Sequence, residues 1–187
     1  MTIYVLLIEV NIIKADYIRE PCLAHILAAL MPANRLAIIV SLTTGLRIGD
    51  VLALRTEDLK KDRFTIKEEK TGKSRRVRLS KELRAELMRQ AGRFYVFEHR
   101  VDQYEHRTRQ AVNKDLKRAC ELFRVKVVNV TPHSARKIYG VEQYKRTGSL
   151  KAVQELLNHS SEAVTMIYAM ADEVTAREHK STSVPDF

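Results

Sequence analysis

The sequence is poor in cysteine and lacks the motifs that would hold a metal ion or a nucleotide. Its two cysteines, Cys22 and Cys120, lie far apart and match no metal-ligand spacing. A secreted domain would usually carry a fuller set of disulfides, so the pair indicates reduced thiols in the cytosol. No P-loop motif for phosphate binding is present. Disulfide scaffolds, metalloenzymes and P-loop nucleotide hydrolases are therefore disfavoured.

Long apolar runs are absent as well. No run approaches the roughly 20 residues that a membrane-spanning helix needs. The apolar stretch 3–8 is very short, with no basic residue before it and no small-residue cleavage site, which disfavours a signal peptide. We expect a soluble, cytoplasmic protein.

Positive charge is what the sequence has in excess. It contains 33 Lys and Arg against 23 Asp and Glu, which gives a net charge of +10 and a pI near 9.7. Such a balance favours a polyanionic partner. On charge alone, a soluble basic protein without such a partner is an equally good interpretation.

The apolar patterns predict a mostly α-helical single domain with one small β-hairpin near its start. No internal repeat, low-complexity tract or Gly/Ser linker is present. Thr131 before Pro132 is typical of a helix start, and the segment 71–73 indicates a turn between two strands. We predict strands over 64–67 and 76–79, and helices over 21–31, 34–43, 47–54, 81–90, 108–123, 132–146, 150–157 and 162–171.

Unusual polar residues are concentrated in five short segments, at 44–50, 70–73, 131–136, 156–160 and 165–169. Cleavage of a phosphodiester without a metal needs two guanidinium groups to neutralise the non-bridging oxygens. It also needs a proton donor for the leaving oxygen, imidazoles that position or accept protons, and a nucleophile that attacks in line. The five segments contain one candidate for every role.

Each candidate also has a plain structural interpretation when it is taken alone. Arg47 and Asp50 could form a surface ion pair. His133 and Arg136 share one helix face and could simply be solvated. Lys70 belongs to a charged hairpin, which is the commoner setting for such a lysine.

The remaining candidates are open in the same way. Lys73 could replace Lys70 as the proton donor. A lone His159 is more often a capping or core residue, and a lone Tyr168 is more often a buried aromatic. Two other tyrosines, Tyr139 and Tyr144, are competing nucleophiles when each is considered alone.

The ordered set resembles the active-site signature of the tyrosine recombinases, the phage integrase type of DNA strand-transferase. The segments read T-G-L-R-x-x-D, K-T-G-K, H-S-x-R, L-x-H-S-S and T-x-x-Y, in that order. His133 precedes Arg136 by three residues, Arg136 precedes His159 by 23, and His159 precedes Tyr168 by nine. A single H-x-x-R is common by chance, whereas the whole ordered set is specific.

The resemblance implies a site made of the catalytic Arg47, Lys70, His133, Arg136, His159 and Tyr168, with Asp50 as a supporting residue. The arginines would bind the scissile phosphate, and the lysine would protonate the departing 5′ oxygen. The histidines would hydrogen-bond the phosphate and assist proton movement. The tyrosine would form a 3′-phosphotyrosyl link, and the aspartate would brace the site. No metal or other cofactor would be required.

The resemblance also implies the helical catalytic fold of the DNA breaking-rejoining enzymes, with a β-hairpin or a small three-stranded sheet. That domain would cover residues 21–175, between a tail or linker at 1–20 and a C-terminal tail at 176–187. The implied partner is double-stranded DNA, bound by a homotetramer in the nucleoid. Phosphate contacts are expected from the basic residues Lys73, Arg75, Arg76, Arg78, Lys114 and Lys117.

The sequence departs from the family pattern in several places. The N-terminal helical DNA-binding domain of typical members has no counterpart, so we expect a catalytic part alone or a fragment of a larger enzyme. Asn158 stands where the family commonly has glycine, and Ala135 and Lys137 also differ from the frequent choices. By family analogy the C-terminal tail would dock on a neighbouring protomer.

Two other functions stay open from the sequence. A type IB topoisomerase uses a similar set of residues but relaxes supercoils without joining new partners. A DNA-binding accessory factor would keep the fold and perform no cleavage.

Overall fold

A computed structural model describes residues 20–123 and 130–158. Within these ranges the chain is mostly helical and contains one two-stranded antiparallel sheet. A 3-10 helix, Thr56–Lys60, leads into the sheet. The helices are α1 (Glu20–Ala29), α2 (Pro32–Thr44), α3 (Ile48–Leu52), α4 (Lys81–Gln90), α5 (Arg109–Leu122), α6 (Pro132–Thr147) and α7 (Leu150–Leu156).

Proline and glycine set the ends of two core helices. α2 begins at Pro32 and ends at Gly45, whose φ of 68° is left-handed and whose N–H donates to the Ser41 carbonyl at 2.9 Å. α6 begins with Pro132 after the cap residue Thr131, as the sequence predicts. The helices predicted from periodicity in these ranges are confirmed, with ends that differ by a few residues.

The sheet is the predicted hairpin. β1 (Arg63–Lys67) and β2 (Ser74–Arg78) pair antiparallel, from Arg63 opposite Arg78 to Lys67 opposite Ser74. β2 begins two residues earlier than predicted, because pairing with β1 fixes its end while Ser74 and Arg75 give no apolar signal. In the described ranges the sheet has two strands, and the third strand that the resemblance allows is not among them.

α2 forms the centre of the hydrophobic core. Its residues from Leu36 to Leu42 are all buried, and the helix packs against α3 and α6. Burial of such aliphatic side chains is the main stabilising contribution to a domain of this size. As a result, the loop that follows α2 lies against α6.

Asp115 of α5 is a buried polar link between helices. Its Oδ2 accepts hydrogen bonds from the Met31 amide at 2.8 Å and from Asn34 Nδ2 at 2.7 Å, and its Oδ1 accepts from Arg118 Nη2 at 2.7 Å. Burial alone would raise the pKa of Asp115, but the hydrogen bonds from Asn34, Arg118 and Met31 together lower it. The carboxylate thus fixes the junction of α1 and α2 against α5.

Some expectations fall outside the described residues, including the helix predicted over 162–171 and both tails. Within the two described ranges, no helix combines the length and the apolar character that crossing a membrane requires. The same residues hold no cluster of three or more His, Cys, Asp or Glu side chains that could bind a metal ion.

Candidate active site

Arg47 lies at the start of α3, immediately after the turn that ends α2. Arg47 is only 8% exposed, and its Nη1 donates to Glu68 Oε2 at 2.7 Å. The surface ion pair with Asp50 that the spacing allowed is therefore wrong, since the guanidinium is buried and its carboxylate partner lies in the hairpin. A buried guanidinium with one carboxylate partner retains donors that can bind a phosphate.

Arg136 reaches the same place from α6. Its Nη1 donates to the Gly45 carbonyl at 2.7 Å and its Nη2 to the Leu157 carbonyl at 3.0 Å, and the residue is 6% exposed. Gly45 stands two residues before Arg47. The two predicted arginines, which are distant in sequence, therefore converge on one loop.

Positive charge exceeds negative charge at this point, where Arg47, Arg75 and Arg136 lie near the carboxyl groups of Glu68 and Asp50. Burial, together with the nearby Arg47 and Arg75, lowers the pKa of Arg136 to about 10, while Glu68 and Asp50 oppose the shift. The guanidinium stays protonated at neutral pH. Such a buried cationic cluster favours binding of an anion that brings more negative charge to it.

Gly45 is the backbone junction of the site. A Cβ at this position would lie 2.3 Å from Tyr139 Cδ1, so the Tyr139 ring packs directly on the glycine. Together with the left-handed φ of 68°, this contact requires glycine. The loop can therefore turn tightly enough to present its carbonyl to Arg136.

The two competing tyrosines have structural roles. Tyr139 and Tyr144 are partly buried and pack against Val153 and Leu157 of the α7 region. Tyr139 also covers Gly45. Their aromatic rings are used in packing, which favours a nucleophile elsewhere.

Glu68 is a site residue that the sequence interpretation missed. It is 0% exposed, and its Oε2 accepts from Arg47 Nη1 at 2.7 Å and from Thr71 Oγ1 at 3.0 Å. Its other oxygen, Oε1, lies 3.6 Å from Arg75 Nη1. The strand alternation carried a signal, because Phe64 and Ile66 lie on the inner face of β1 and Glu68 continues their spacing of two.

Asp50 is buried beside this cluster and is 6% exposed. Its Oδ1 accepts from the Glu69 amide at 2.9 Å, whereas its Oδ2 has no hydrogen-bond partner among the described residues. Burial raises the pKa of Asp50 and the neighbouring Glu68 adds to the increase, while the Glu69 amide and the two arginines lower it. The carboxyl thus attaches α3 to the hairpin, as a bracing residue would.

Lys70 and His133 are exposed side chains at the edge of the buried cluster. Lys70 lies on the turn between β1 and β2, two residues after Glu68. His133 lies on the first turn of α6, one turn before Arg136. Both therefore stand on elements that also carry a buried member of the site.

His159 and Tyr168 lie outside the described residues, but the chain leading to them is fixed at the site. The Leu157 carbonyl, two residues before His159, accepts from Arg136. Asn158 has a left-handed φ of 55°. Asparagine tolerates this region better than most residues other than glycine, which explains why it can stand where the family commonly has glycine.

The six basic residues expected to contact DNA fall into two groups. Arg75 is turned inward, with its Nη2 donating to the Thr44 carbonyl and its Nη1 facing Glu68. The others are exposed, on the hairpin at Lys73, Arg76 and Arg78 and on α5 at Lys114 and Lys117. Arg75 thus belongs to the buried cluster, and its contact with DNA stays a prediction.

An open groove of about 420 Å³ lies next to the cluster. It is bounded by the end of α2, by β2 and by the end of α7, and its lining includes Thr44, Arg75, Arg76, Tyr139 and Asn158. Cationic side chains and Asn158, the last described residue, therefore line one concave surface.

The fold defines the class of protein. The chain has the fold of the XerA recombinase crystal structure, with a TM-score of 0.64 at 21% identity, over 91% of this chain and 66% of that one. It also has the fold of the XerH site-specific recombinase bound to palindromic difH substrate, with a TM-score of 0.60 at 24% identity over 81% and 46%. The fold is that of tyrosine recombinase catalytic domains.

Residues 17–174 match the family model of the phage integrases, and the chain belongs to this family. It is 30% identical over 155 residues to a probable integrase/recombinase of Bacillus subtilis, YoeC, over 74% of this chain and 78% of the relative. It is also 30% identical over 155 residues to the tyrosine recombinase XerA of Pyrococcus furiosus (79% and 52%). Identity to the integrase of Escherichia phage P2 is 28% over 156 residues (83% and 43%). The chain spans about half the length of these last two relatives, and the resemblance inferred from the ordered motifs is confirmed.

Proposed function

We propose that this chain is the catalytic domain of a site-specific DNA recombinase that cuts and rejoins DNA through a 3′-phosphotyrosyl intermediate. The observation that carries the proposal is the convergence of two buried arginines at the Gly45 loop: Arg47 lies two residues after Gly45, and Arg136 donates to the Gly45 carbonyl at 2.7 Å. Guanidinium groups held in this way can stabilise the charge that builds up on a phosphate during displacement.

The proposed reaction is a displacement at the phosphorus atom, followed by its reversal with a new strand. The Tyr168 oxygen attacks the phosphorus, a new P–O bond forms to the tyrosine, and the bond to the 5′ oxygen breaks. Lys70 gives the leaving oxygen its proton, and His133 and His159 hydrogen-bond the phosphate and assist transfer of the phenol proton. A 5′ hydroxyl from another strand then attacks the phosphotyrosine and reverses the step. Since the link conserves the bond energy, the proposed reaction needs no nucleotide as an energy source, and the arginines stabilise the charge for which a metal ion could otherwise serve.

Duplex DNA is the proposed partner, and a homotetramer on DNA is the proposed assembly. The XerH neighbours are complexes with difH substrate, and the Tn1549 transposon integrase neighbour is a complex with circular intermediate DNA. The net charge of +10 and the exposed arginines of β2 support the same partner for this chain.

The test is capture of the covalent intermediate. A library of nicked duplexes with randomised sequence is incubated with the protein, and products that survive denaturing detergent are selected and sequenced. The nick lets the short fragment that carries the new 5′ hydroxyl diffuse away, so the leaving group is lost and the intermediate accumulates. We expect a protein–DNA adduct that Tyr168→Phe abolishes while DNA binding is kept.

The matched control is Tyr104→Phe, since Tyr104 is an exposed tyrosine whose ring stacks on Phe94. This variant should form the adduct as the wild type does. An adduct that persists in Tyr168→Phe would refute the assignment. On the enriched sequence, relaxed circles without recombinant joints would indicate topoisomerase activity instead.

A further inference from the structure

We propose that Glu68 is a positioning residue that fixes Arg47 and the turn carrying Lys70 in place relative to each other. This inference rests on the proposed function, because it assigns Glu68 a part in the same cleavage reaction. Glu68 would not touch DNA. It would ensure that the group binding the phosphate and the group protonating the leaving oxygen reach one scissile bond.

The hydrogen bonds carry the argument. A single oxygen, Glu68 Oε2, accepts from Arg47 Nη1 at 2.7 Å and from Thr71 Oγ1 at 3.0 Å. Thr71 directly follows Lys70, and its Oγ1 in turn accepts from the Lys73 amide at 3.3 Å. One carboxylate therefore joins the start of α3 to the turn that carries the proposed proton donor.

The backbone of Glu68 closes the same turn. Its amide donates to the Lys73 carbonyl at 2.9 Å, and its carbonyl accepts from the Gly72 amide at 2.8 Å. Gly72 adopts the left-handed φ of 65° that this closure needs. The position of Lys70 along the hairpin is therefore set by Glu68 through both backbone and side chain.

Burying the carboxylate of Glu68 costs free energy, so its charge needs cationic partners. Glu68 is fully buried, and an ionised carboxylate is stable there only with cationic partners, here Arg47 and Arg75. The preceding inward positions of β1, Phe64 and Ile66, are apolar. An apolar residue would suit this face of the strand for packing alone, so the carboxylate points to an electrostatic and positioning role.

The test compares cleavage rates on two substrates at saturating protein. The first is the nicked duplex enriched by covalent capture, and the second carries sulfur in place of the bridging 5′ oxygen. Sulfur leaves as a thiolate and needs no proton from Lys70, so it restores the part of a defect that comes from a misplaced proton donor. The variants are Glu68→Gln, Glu68→Asp and the control Glu69→Gln, whose exposed carboxylate neighbours Glu68.

We expect Glu68→Gln to slow adduct formation on the oxygen substrate by about 10- to 100-fold, as removal of an orienting group does. The decrease on the sulfur substrate should be smaller but still present, because Arg47 is also released. The dissociation constant for DNA should change by less than about threefold, since the interaction acts mainly on the transition state. Glu68→Asp, which keeps the charge but shortens the side chain, should show a smaller decrease, and Glu69→Gln should behave as the wild type.

Two results would overturn the inference. One is a rate for Glu68→Gln within about threefold of the wild type, and the other is an equal decrease on both substrates, which indicates a purely structural role. Glu68→Asp gives the same readout if the glutamine variant does not fold. Absence of an adduct from the wild type would instead refute the proposed function, so the two failures are distinguishable.

Discussion

Replacing Gly45 by alanine should destabilise the protein more than the same change at an otherwise similar glycine. The backbone at this position has a left-handed φ of 68°, and placing alanine there should lower the free energy of unfolding by about 1–2 kcal/mol. Its Cβ would also lie 2.3 Å from Tyr139 Cδ1 and 2.5 Å from Cε1. Relief of that overlap by moving a packed ring costs about 1–3 kcal/mol. Together the free energy of unfolding should fall by about 2–5 kcal/mol.

Gly148 is the matched control. It also ends a helix, it has a φ of 62°, and a Cβ there would meet nothing within 4 Å. Gly148→Ala should therefore cost only the backbone part, about 1–2 kcal/mol. Both variants can be measured by urea unfolding followed by circular dichroism at 25 °C and pH 7.

A double-mutant cycle then isolates the steric part. Tyr139→Ala removes the ring, so the cost of Gly45→Ala measured in that background should fall by about 1–3 kcal/mol. Equal costs at Gly45 and Gly148, together with no coupling to Tyr139, would refute the claim that the ring fixes the loop beneath the arginines.

Three further results are expected. Arg76→Gln combined with Arg78→Gln should reduce the slope of log K against log salt for DNA binding by about 0.9 for each phosphate that is no longer neutralised, and an unchanged slope would remove these residues from the interface. Asp115→Asn should lower the free energy of unfolding at pH 7 by about 1.5–3 kcal/mol. Because the folded pKa of Asp115 is lowered, its stabilisation is present above the ordinary value of 3.8 and disappears as the pH falls through the folded value. The difference between variant and wild type should therefore shrink in acid, and urea unfolding that shows a constant difference would contradict this. In Arg136→Lys, the single ammonium group cannot both donate to the two carbonyl oxygens and bind phosphate as a planar guanidinium does, so adduct formation should fall by about 10²–10³-fold. A decrease of less than tenfold would contradict the assignment.

Elements with strong local signals can be predicted from the sequence. Pro132 marks the start of α6 and Gly45 the end of α2, because ring geometry and left-handed backbone act locally. The start of α2 at Pro32 lies two residues before the predicted start. The hairpin follows from its turn at 71–73 for the same reason. The 3-10 helix Thr56–Lys60 escapes prediction, since such a short segment has no clear periodicity.

Part of the site could not be predicted because it depends on which face of an element is buried. The motifs identify Arg47 and Arg136, but not that both are buried. Glu68 is one acidic residue in a charged hairpin, and its partnership with Arg47 arises from the packing of β1 beside α3. Arg75 resembles the exposed basic residues around it in sequence, although the pleat of β2 turns it inward.

The measurement that most directly tests the central claim is to identify the amino acid that carries the DNA in the covalent adduct. The adduct from the enriched nicked duplex is digested with trypsin and nuclease, and the modified peptide is sequenced by mass spectrometry. The account predicts a nucleotide that is joined through its 3′ phosphate to the phenolic oxygen of Tyr168. Attachment to Tyr139, Tyr144 or a serine would contradict it, because the arginine cluster would then be activating a phosphate for a different nucleophile.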